Sequence, residues 1–207
     1  MLNIGITQRI HFIKEYNEYR DELDQSWSNL FANLGIMQII LPNNSELIKN
    51  NYIDNLNLNG VILSGGEFKE NNNNNVGLKN RNEFENNLIS YCIGNKIPIL
   101  GVCRGMQILN NFFGGKLEKI DNHVGKYHNI KNFSKLSISK NVNSYHEFKL
   151  SKDNLPENFE IIATDLDGEI ESILDKKNNL LGIMWHPERN NPFDKNDLKL
   201  MSDFFNL

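Results

Sequence analysis

The sequence predicts an α/β protein, with an open, mostly parallel sheet carrying helices on both faces and a smaller antiparallel β segment in the C-terminal half. Two observations carry this expectation. The first two-thirds of the chain alternates short apolar runs with stretches of helical periodicity, the pattern of repeated β-α units. From Lys116 onward the apolar runs become short and closely spaced, with turn residues between them.

Leu2–Thr7 reads as the first strand, and Glu15–Leu34 carries a helical period interrupted by polar residues. Met37–Leu41 is a second strand, stopped by Pro42, and Ser45 is placed to cap a short helix running to Asn55. Gly60–Leu63 is a third strand that ends in Ser64-Gly65-Gly66. The Asn71–Asn75 run reads as a mobile surface loop that could serve as a lid. A helix over Arg81–Ile93, a strand over Ile97–Val102 and a helix from Arg104 follow. Further on, Lys135–Ser139, Glu160–Thr164, Ile170–Asp175 and Leu180–Trp185 read as strands. Asp165-Leu166-Asp167-Gly168 reads as a hairpin turn; a calcium loop would need more oxygen ligands at fixed register. Asp194 is placed to cap a last helix, Lys195–Phe205, with Asp197 supporting its first turn.

Composition narrows the classes of function. The 207 residues fit one domain, and a net charge of −4 with scattered Lys and Arg gives no footprint for nucleic acid. Two cysteines, Cys92 and Cys103, make neither a disulfide framework nor a metal pattern. Cys92 lies in an apolar helical stretch and reads as a buried structural thiol. The N-terminal residues lack the features of a secretory signal, and no apolar run approaches a membrane span. The sequons at Asn43 and Asn132 therefore read as chance matches in an Asn-rich, soluble, reducing-compartment protein.

The chemistry concentrates in Gly101-Val102-Cys103-Arg104-Gly105-Met106-Gln107. A thiol between small residues, after a strand and before a helix, is the cysteine version of the nucleophile elbow. The helix N-terminus favours a thiolate there. Far downstream, Trp185-His186-Pro187-Glu188 offers a base and a carboxylate to orient it. His123 and His128 read as solvated residues of a polar loop, able with Lys126 to meet an anionic leaving group; His11 reads as surface. No His, Cys, Asp and Glu set shows metal-ligand spacing along the chain.

These two segments, together with Ser64-Gly65-Gly66-Glu67, resemble the class I glutamine amidotransferases. Arg104, the Asn80–Glu85 segment, Asp167-Gly168-Glu169-Ile170-Glu171 and Trp185 make the chain similar to the stand-alone γ-glutamyl hydrolase branch. The resemblance implies a single flavodoxin-like domain over residues 1–207, with no cofactor, no metal and a small γ-glutamyl compound as partner, acting in the cytoplasm. It implies Cys103 as nucleophile, His186 as base and Glu188 as orienting group, with the Gly66 and Arg104 N–H groups forming an oxyanion hole. It also implies that Gln107 and the Tyr145-His146-Glu147 loop bind the glutamyl group, although a second His is common in that loop. For His146, a structural role is as open as substrate contact. Two activities remain open at this point. One is free-standing hydrolysis of a γ-glutamyl amide; the other is a glutaminase subunit feeding ammonia to a partner synthase. Arg104 and Asp167–Glu171 favour the first, and the Asn- and Lys-rich chain as a whole resembles the γ-glutamyl-CDP-amidate hydrolases.

Overall fold

In the computed structural model, which describes residues 1–67 and 76–207, the chain opens with β1 (Asn3–Thr7) and a hairpin of β2 (Arg9–Ile13) and β3 (Glu18–Glu22). Next come α1 (Gln25–Leu34), β4 (Met37–Leu41), α2 (Glu46–Lys49) and β5 (Gly60–Leu63). After them lie α3 (Val76–Asn95), β6 (Ile99–Val102) and α4 (Arg104–Phe112). Then β7 (Leu117–Lys119), β8 (Val124–Asn132), β9 (Asn141–Tyr145) and β10 (Phe148–Leu150) follow. The chain ends with β11 (Glu160–Asp165), β12 (Ile170–Asp175), β13 (Leu180–Ile183) and α5 (Lys195–Phe205).

A nine-stranded sheet runs in the order β4-β1-β5-β6-β13-β12-β11-β8-β9. The first five strands are mutually parallel, and from β13 to β9 every pairing is antiparallel. The antiparallel segment is thus an extension of the parallel sheet. Two small two-stranded sheets, β2-β3 and β7-β10, stand outside it.

The central strands are apolar throughout because both of their faces are covered. Ile62, Leu100, Val102, Leu181 and Ile183 pack against Trp27, Leu30 and Phe31 of α1 and Met201 and Phe205 of α5. Val61, Leu63, Ile99 and Leu180 face the other way, onto Phe84, Leu88 and Cys92 of α3 and Met106 and Leu109 of α4. The alternation within each strand follows from the two-residue repeat of side-chain direction.

The ends of α1 and α5 are set by capping. Asp24 accepts from the Ser26 N–H, and Gly35 closes α1 in the left-handed region at φ 67°. Asp194 accepts from Asn196 and Asp197 at the start of α5, as the sequence predicts.

Several expectations need correction. The helix expected over Glu15–Leu34 is confined to its second half, α1, and the first half holds the turn of the β2-β3 hairpin and β3. Asn17 turns that hairpin at φ 51°, and Phe12 opposite Tyr19 forms a cross-strand aromatic pair 4.8 Å apart. Such a pair is a strand-stabilising contact that outweighs an interrupted helical period. The helix expected from Ser45 to Asn55 stops at Lys49, and a 3₁₀ turn over Tyr52–Leu56 replaces its end. Lys135–Ser139 is no strand. It connects β8 to β9, and Asn132 folds the chain back by accepting from the Ser134 N–H. Strands β7, β8, β9 and β10 escape the sequence because they are short or largely polar. The Asn71–Asn75 run lies outside the described residues.

Candidate active site

Three adjacent strands, β5, β6 and β13, deliver their carboxyl ends side by side, and Gly66, Cys103 and His186 follow those ends. Parallel sheets collect ligands at this edge. Cys103 stands at the N-terminus of α4 with φ 52° and ψ −105°, a conformation that costs a non-glycine residue free energy. Close packing around the turn holds it there. A Cβ on Gly105 would lie 2.1 Å from the Leu63 carbonyl oxygen, so only glycine lets α4 approach β5 this closely.

His186 and Cys103 are both buried and line the same pocket. His186 Nδ1 lies 2.7 Å from Glu188 Oε1, on a 3₁₀ turn over Pro187–Arg189. Burial pulls the imidazole down, but the charge of Glu188 and then that of Cys103 outweigh it and lift the group to about 9. Asn143 on β9 clamps the backbone of His186. Its Oδ1 accepts from the His186 N–H at 2.8 Å, and its Nδ2 donates to the His186 carbonyl at 2.8 Å.

The loop after β5 is braced from beneath by a buried charge network. Arg81 Nη2 donates to the carbonyl oxygens of Ser64 (2.8 Å) and Gly65 (3.1 Å), and Arg81 Nε donates to Glu85 Oε1 at 2.9 Å. The other oxygen of Glu85 receives Arg104 Nη1 at 2.5 Å, and Thr7 Oγ1 donates to Oε1 at 2.9 Å. Burial pushes the Glu85 carboxyl up, but Arg104 and Arg81 together hold it below the usual carboxylate range. The side chain of Arg104 is therefore committed to the interior, while its backbone N–H belongs to the first turn of α4, where no intrahelical acceptor exists.

A pocket of about 820 Å³ opens over Cys103 and His186 and is bordered by Gly66, Gln107, Tyr145 and Glu147. Gln107 is buried and donates to the Phe148 carbonyl at 3.0 Å. Tyr145 sets its ring edge-on to His186 at 5.8 Å, and the Arg189 guanidinium covers that ring at 4.3 Å. His146 also borders the pocket, but Nδ1 is paired with the Phe148 carbonyl and Nε2 faces Glu171. The fold thus brings together Cys103, His186, Glu188, Gly66, Arg104, Gln107, Tyr145, His146 and Glu147. His123, His128 and Lys126 do not border this pocket; among the described residues, Arg9, Lys119 and Arg189 are the Lys and Arg side chains that line it. His123 and His128 are half-buried rather than solvated, in a cluster with Asp165 and Glu171.

The model of the glutamine amidotransferase class-I family matches residues 17–206. The chain belongs to the class I glutamine amidotransferases. Within that family it is 35% identical over 205 residues to a γ-glutamyl-CDP-amidate hydrolase of Campylobacter jejuni, covering 99% of this chain and 98% of that protein. It is 34% identical over 176 residues to anthranilate synthase component 2 of Cyanophora paradoxa, covering 81% of this chain and 87% of that one. The crystal structure of a candidate GMP synthase subunit from Thermoplasma acidophilum shares the fold, with a TM-score of 0.74 at 19% identity over 100% of this chain and 93% of that one. This amidotransferase therefore has the flavodoxin-like architecture that its motifs imply. Among the described residues, no helix is long and apolar enough to cross a membrane.

Two features of this class I amidotransferase escape motif reading. The spacing of Arg81 and Glu85, one helical turn apart, carries a weak signal of an ion pair, but nothing in it reveals that Arg104 completes the network. Asn143 opens the segment that resembles the glutamyl-binding loop, but nothing in the sequence reveals that its partner is the backbone of His186, far along the chain. Cys92 is the buried thiol the sequence predicts, with burial pushing it up to about 12.

Proposed function

We propose that the chain is a cysteine hydrolase that cleaves the γ-glutamyl amide bond of γ-glutamyl-CDP-amidate, releasing glutamate and cytidine diphosphoramidate. The observation that carries the reading is the juxtaposition of Cys103 with the Glu188-paired His186 at the mouth of a pocket. In this reading Cys103 Sγ attacks the γ-carbonyl carbon, and its proton resides on His186. The developing oxyanion is met by the N–H groups of Gly66 and Arg104, each such donor contributing about 3 kcal/mol to the transition state. His186 then hands its proton to the leaving nitrogen as the C–N bond breaks. Water, deprotonated by His186, hydrolyses the γ-glutamyl thioester and restores the thiol.

Gln107, Tyr145 and Glu147 border the space for the glutamyl group, and His146 positions their loop. The pocket exceeds the needs of a glutamyl moiety, and Arg9, Lys119 and Arg189 at its border suit a diphosphate. The full-length similarity to the Campylobacter jejuni hydrolase supports the nucleotide half of the substrate. A cytoplasmic enzyme without cofactor or metal in its chemistry, acting as one domain, fits this reading. The similarity to anthranilate synthase component 2 favours a second one, in which the same site makes ammonia from glutamine for a partner synthase.

Glutamate release by the purified chain, measured on γ-glutamyl-CDP-amidate and on glutamine, separates the two. The hydrolase reading expects kcat/KM on the nucleotide to exceed that on glutamine by at least about 100-fold without a partner. Preference for glutamine, or activity that requires a synthase, overturns it. Cys103→Ala should lower kcat by more than about 10⁴-fold with the fold retained.

A further inference from the structure

The antiparallel extension of the sheet gathers a second set of chemistry-bearing side chains away from Cys103. Four consecutive strands contribute. Glu171 lies on β12, Asp165 ends β11, His128 sits on β8 with His123 just before it, and His146 follows β9. One ligand atom each from His123, His128, Asp165 and Glu171 falls within 4.8 Å of all the others. His146 Nε2 approaches the same carboxylate, 3.7 Å from Glu171 Oε1, and the ring of His123 lies 4.9 Å from that of His146.

The cluster does not satisfy itself. Glu171 is 1% exposed, yet neither of its carboxylate oxygens has a hydrogen-bond partner among the described residues. His123 Nδ1, His128 Nε2 and His146 Nε2 are likewise buried without a well-formed hydrogen bond, although His128 Nε2 and His146 Nε2 lie 3.3 and 3.7 Å from Glu171 Oε1. His146 shows why. Its Nδ1 faces the Phe148 carbonyl at 3.0 Å, which can only accept, so Nδ1 carries a proton and leaves Nε2 as the atom turned toward Glu171. Nε2 stands 3.7 Å from Glu171 Oε1, too far for a hydrogen bond. Imidazole nitrogens and carboxylates gathered this closely form a donor set that a cation could share.

We propose that His123, His128, Asp165 and Glu171 bind a borderline first-row divalent cation of the zinc class, with His146 adjoining. Imidazole nitrogens mixed with carboxylates suit such an ion, whereas calcium and magnesium call for an all-oxygen shell. The Phe148 carbonyl on His146 Nδ1 fixes that ring beside the four ligands. Donors in a closed zinc site stand roughly 3.4 Å apart, so the side chains draw inward by about 1 Å on binding. The ion is structural. It ties β8, β11 and β12 to the turn after β9, and through His146 it fixes the wall that Tyr145 and Glu147 form on the pocket.

The test uses the full chain carrying Cys103→Ala, so that Cys103 and His186 cannot supply a competing thiolate site. Stripped with chelator and titrated with Zn²⁺ and Co²⁺, it should take up about one equivalent of either ion. The Co²⁺ form should show the visible bands of a nitrogen- and oxygen-ligated site, and Zn²⁺ should raise the Tm. The double variant His128→Gln with Glu171→Gln should lose this binding with an unchanged far-ultraviolet circular dichroism spectrum. Should the double variant not fold, the single variant His123→Asn is read instead. It should weaken binding by about tenfold or more and alter the Co²⁺ spectrum. Absence of stoichiometric uptake by the stripped chain overturns the proposal, as does uptake that these substitutions leave unchanged.

Discussion

Cys103 occupies a backbone conformation that costs about 1–3 kcal/mol, and it persists because Gly105 lets α4 close onto β5 beneath it. Its partner His186 owes its proton affinity to a balance in which the charge of Glu188 is the largest opposing influence to burial. The sign is definite. A group raised to about 9 keeps its proton across neutral pH, and the stability from its pairing is present below about 6.5 and lost as pH rises through about 9. A step that needs protonated His186 should therefore fail on the alkaline side near pH 9. Glu188→Gln keeps a hydrogen-bond acceptor but removes the charge, so the alkaline limb of kcat/KM should move down by about 1–3 pH units. A rate profile from pH 6 to 10 checks this, and an unmoved limb assigns the proton affinity elsewhere. At this scale the sequence is most legible. Cys103, His186 and Glu188 stand in short contiguous motifs whose spacing reflects local geometry.

Between elements, the Arg81–Glu85–Arg104 network joins α3, α4 and the loop after β5 through a single carboxylate that is fully buried. Removing one partner from such a set leaves unmatched charge in the interior, at a cost of about 3–5 kcal/mol. Glu85→Gln should lower unfolding stability by that amount in urea titrations. It should also reduce kcat more than it changes KM, because the Ser64–Gly66 loop loses its brace. A variant with native stability would show that the two guanidinium groups find other acceptors. The network was only half legible, since the helical spacing of Arg81 and Glu85 is local while Arg104 arrives from another element. The β2-β3 hairpin was misread for a related reason. Its mark is the Phe12–Tyr19 pairing across a turn, which a helical count does not see.

Across the whole molecule, α5 is fastened to the sheet by Trp185 Nε1 donating to Asp197 Oδ1 at 2.9 Å. Burial pushes the Asp197 carboxyl up to about 7, with Asp194 and Glu188 adding to the rise. A carboxyl so raised binds its proton more tightly when the chain is folded. Stability therefore falls as pH climbs from about 4 to about 7 and levels off above. Asp197→Asn should remove this decline. Relative to the parent, the variant should gain on the order of 1–4 kcal/mol between pH 4 and pH 8 in parallel urea titrations, and a constant difference would rule the group out. Sequence patterning reached the parallel half of the sheet because those strands are apolar and evenly separated by helices. It missed β8 and β9 because their residues are mostly polar. It also missed the histidine–carboxylate cluster, whose members are scattered over four strands and meet only in the finished sheet.

The Asn143 amide has a wider consequence. One side chain imitates a strand neighbour for His186, so the backbone of His186 is tied directly to β9, which carries Tyr145. On the proposed roles, selectivity and proton transfer are geared together on this flank. A substitution that reshapes the glutamyl wall through β9 drags the imidazole with it. Evolution toward a new leaving group would then find freer ground across the cleft, where Arg9 reaches the pocket from a hairpin outside the main sheet.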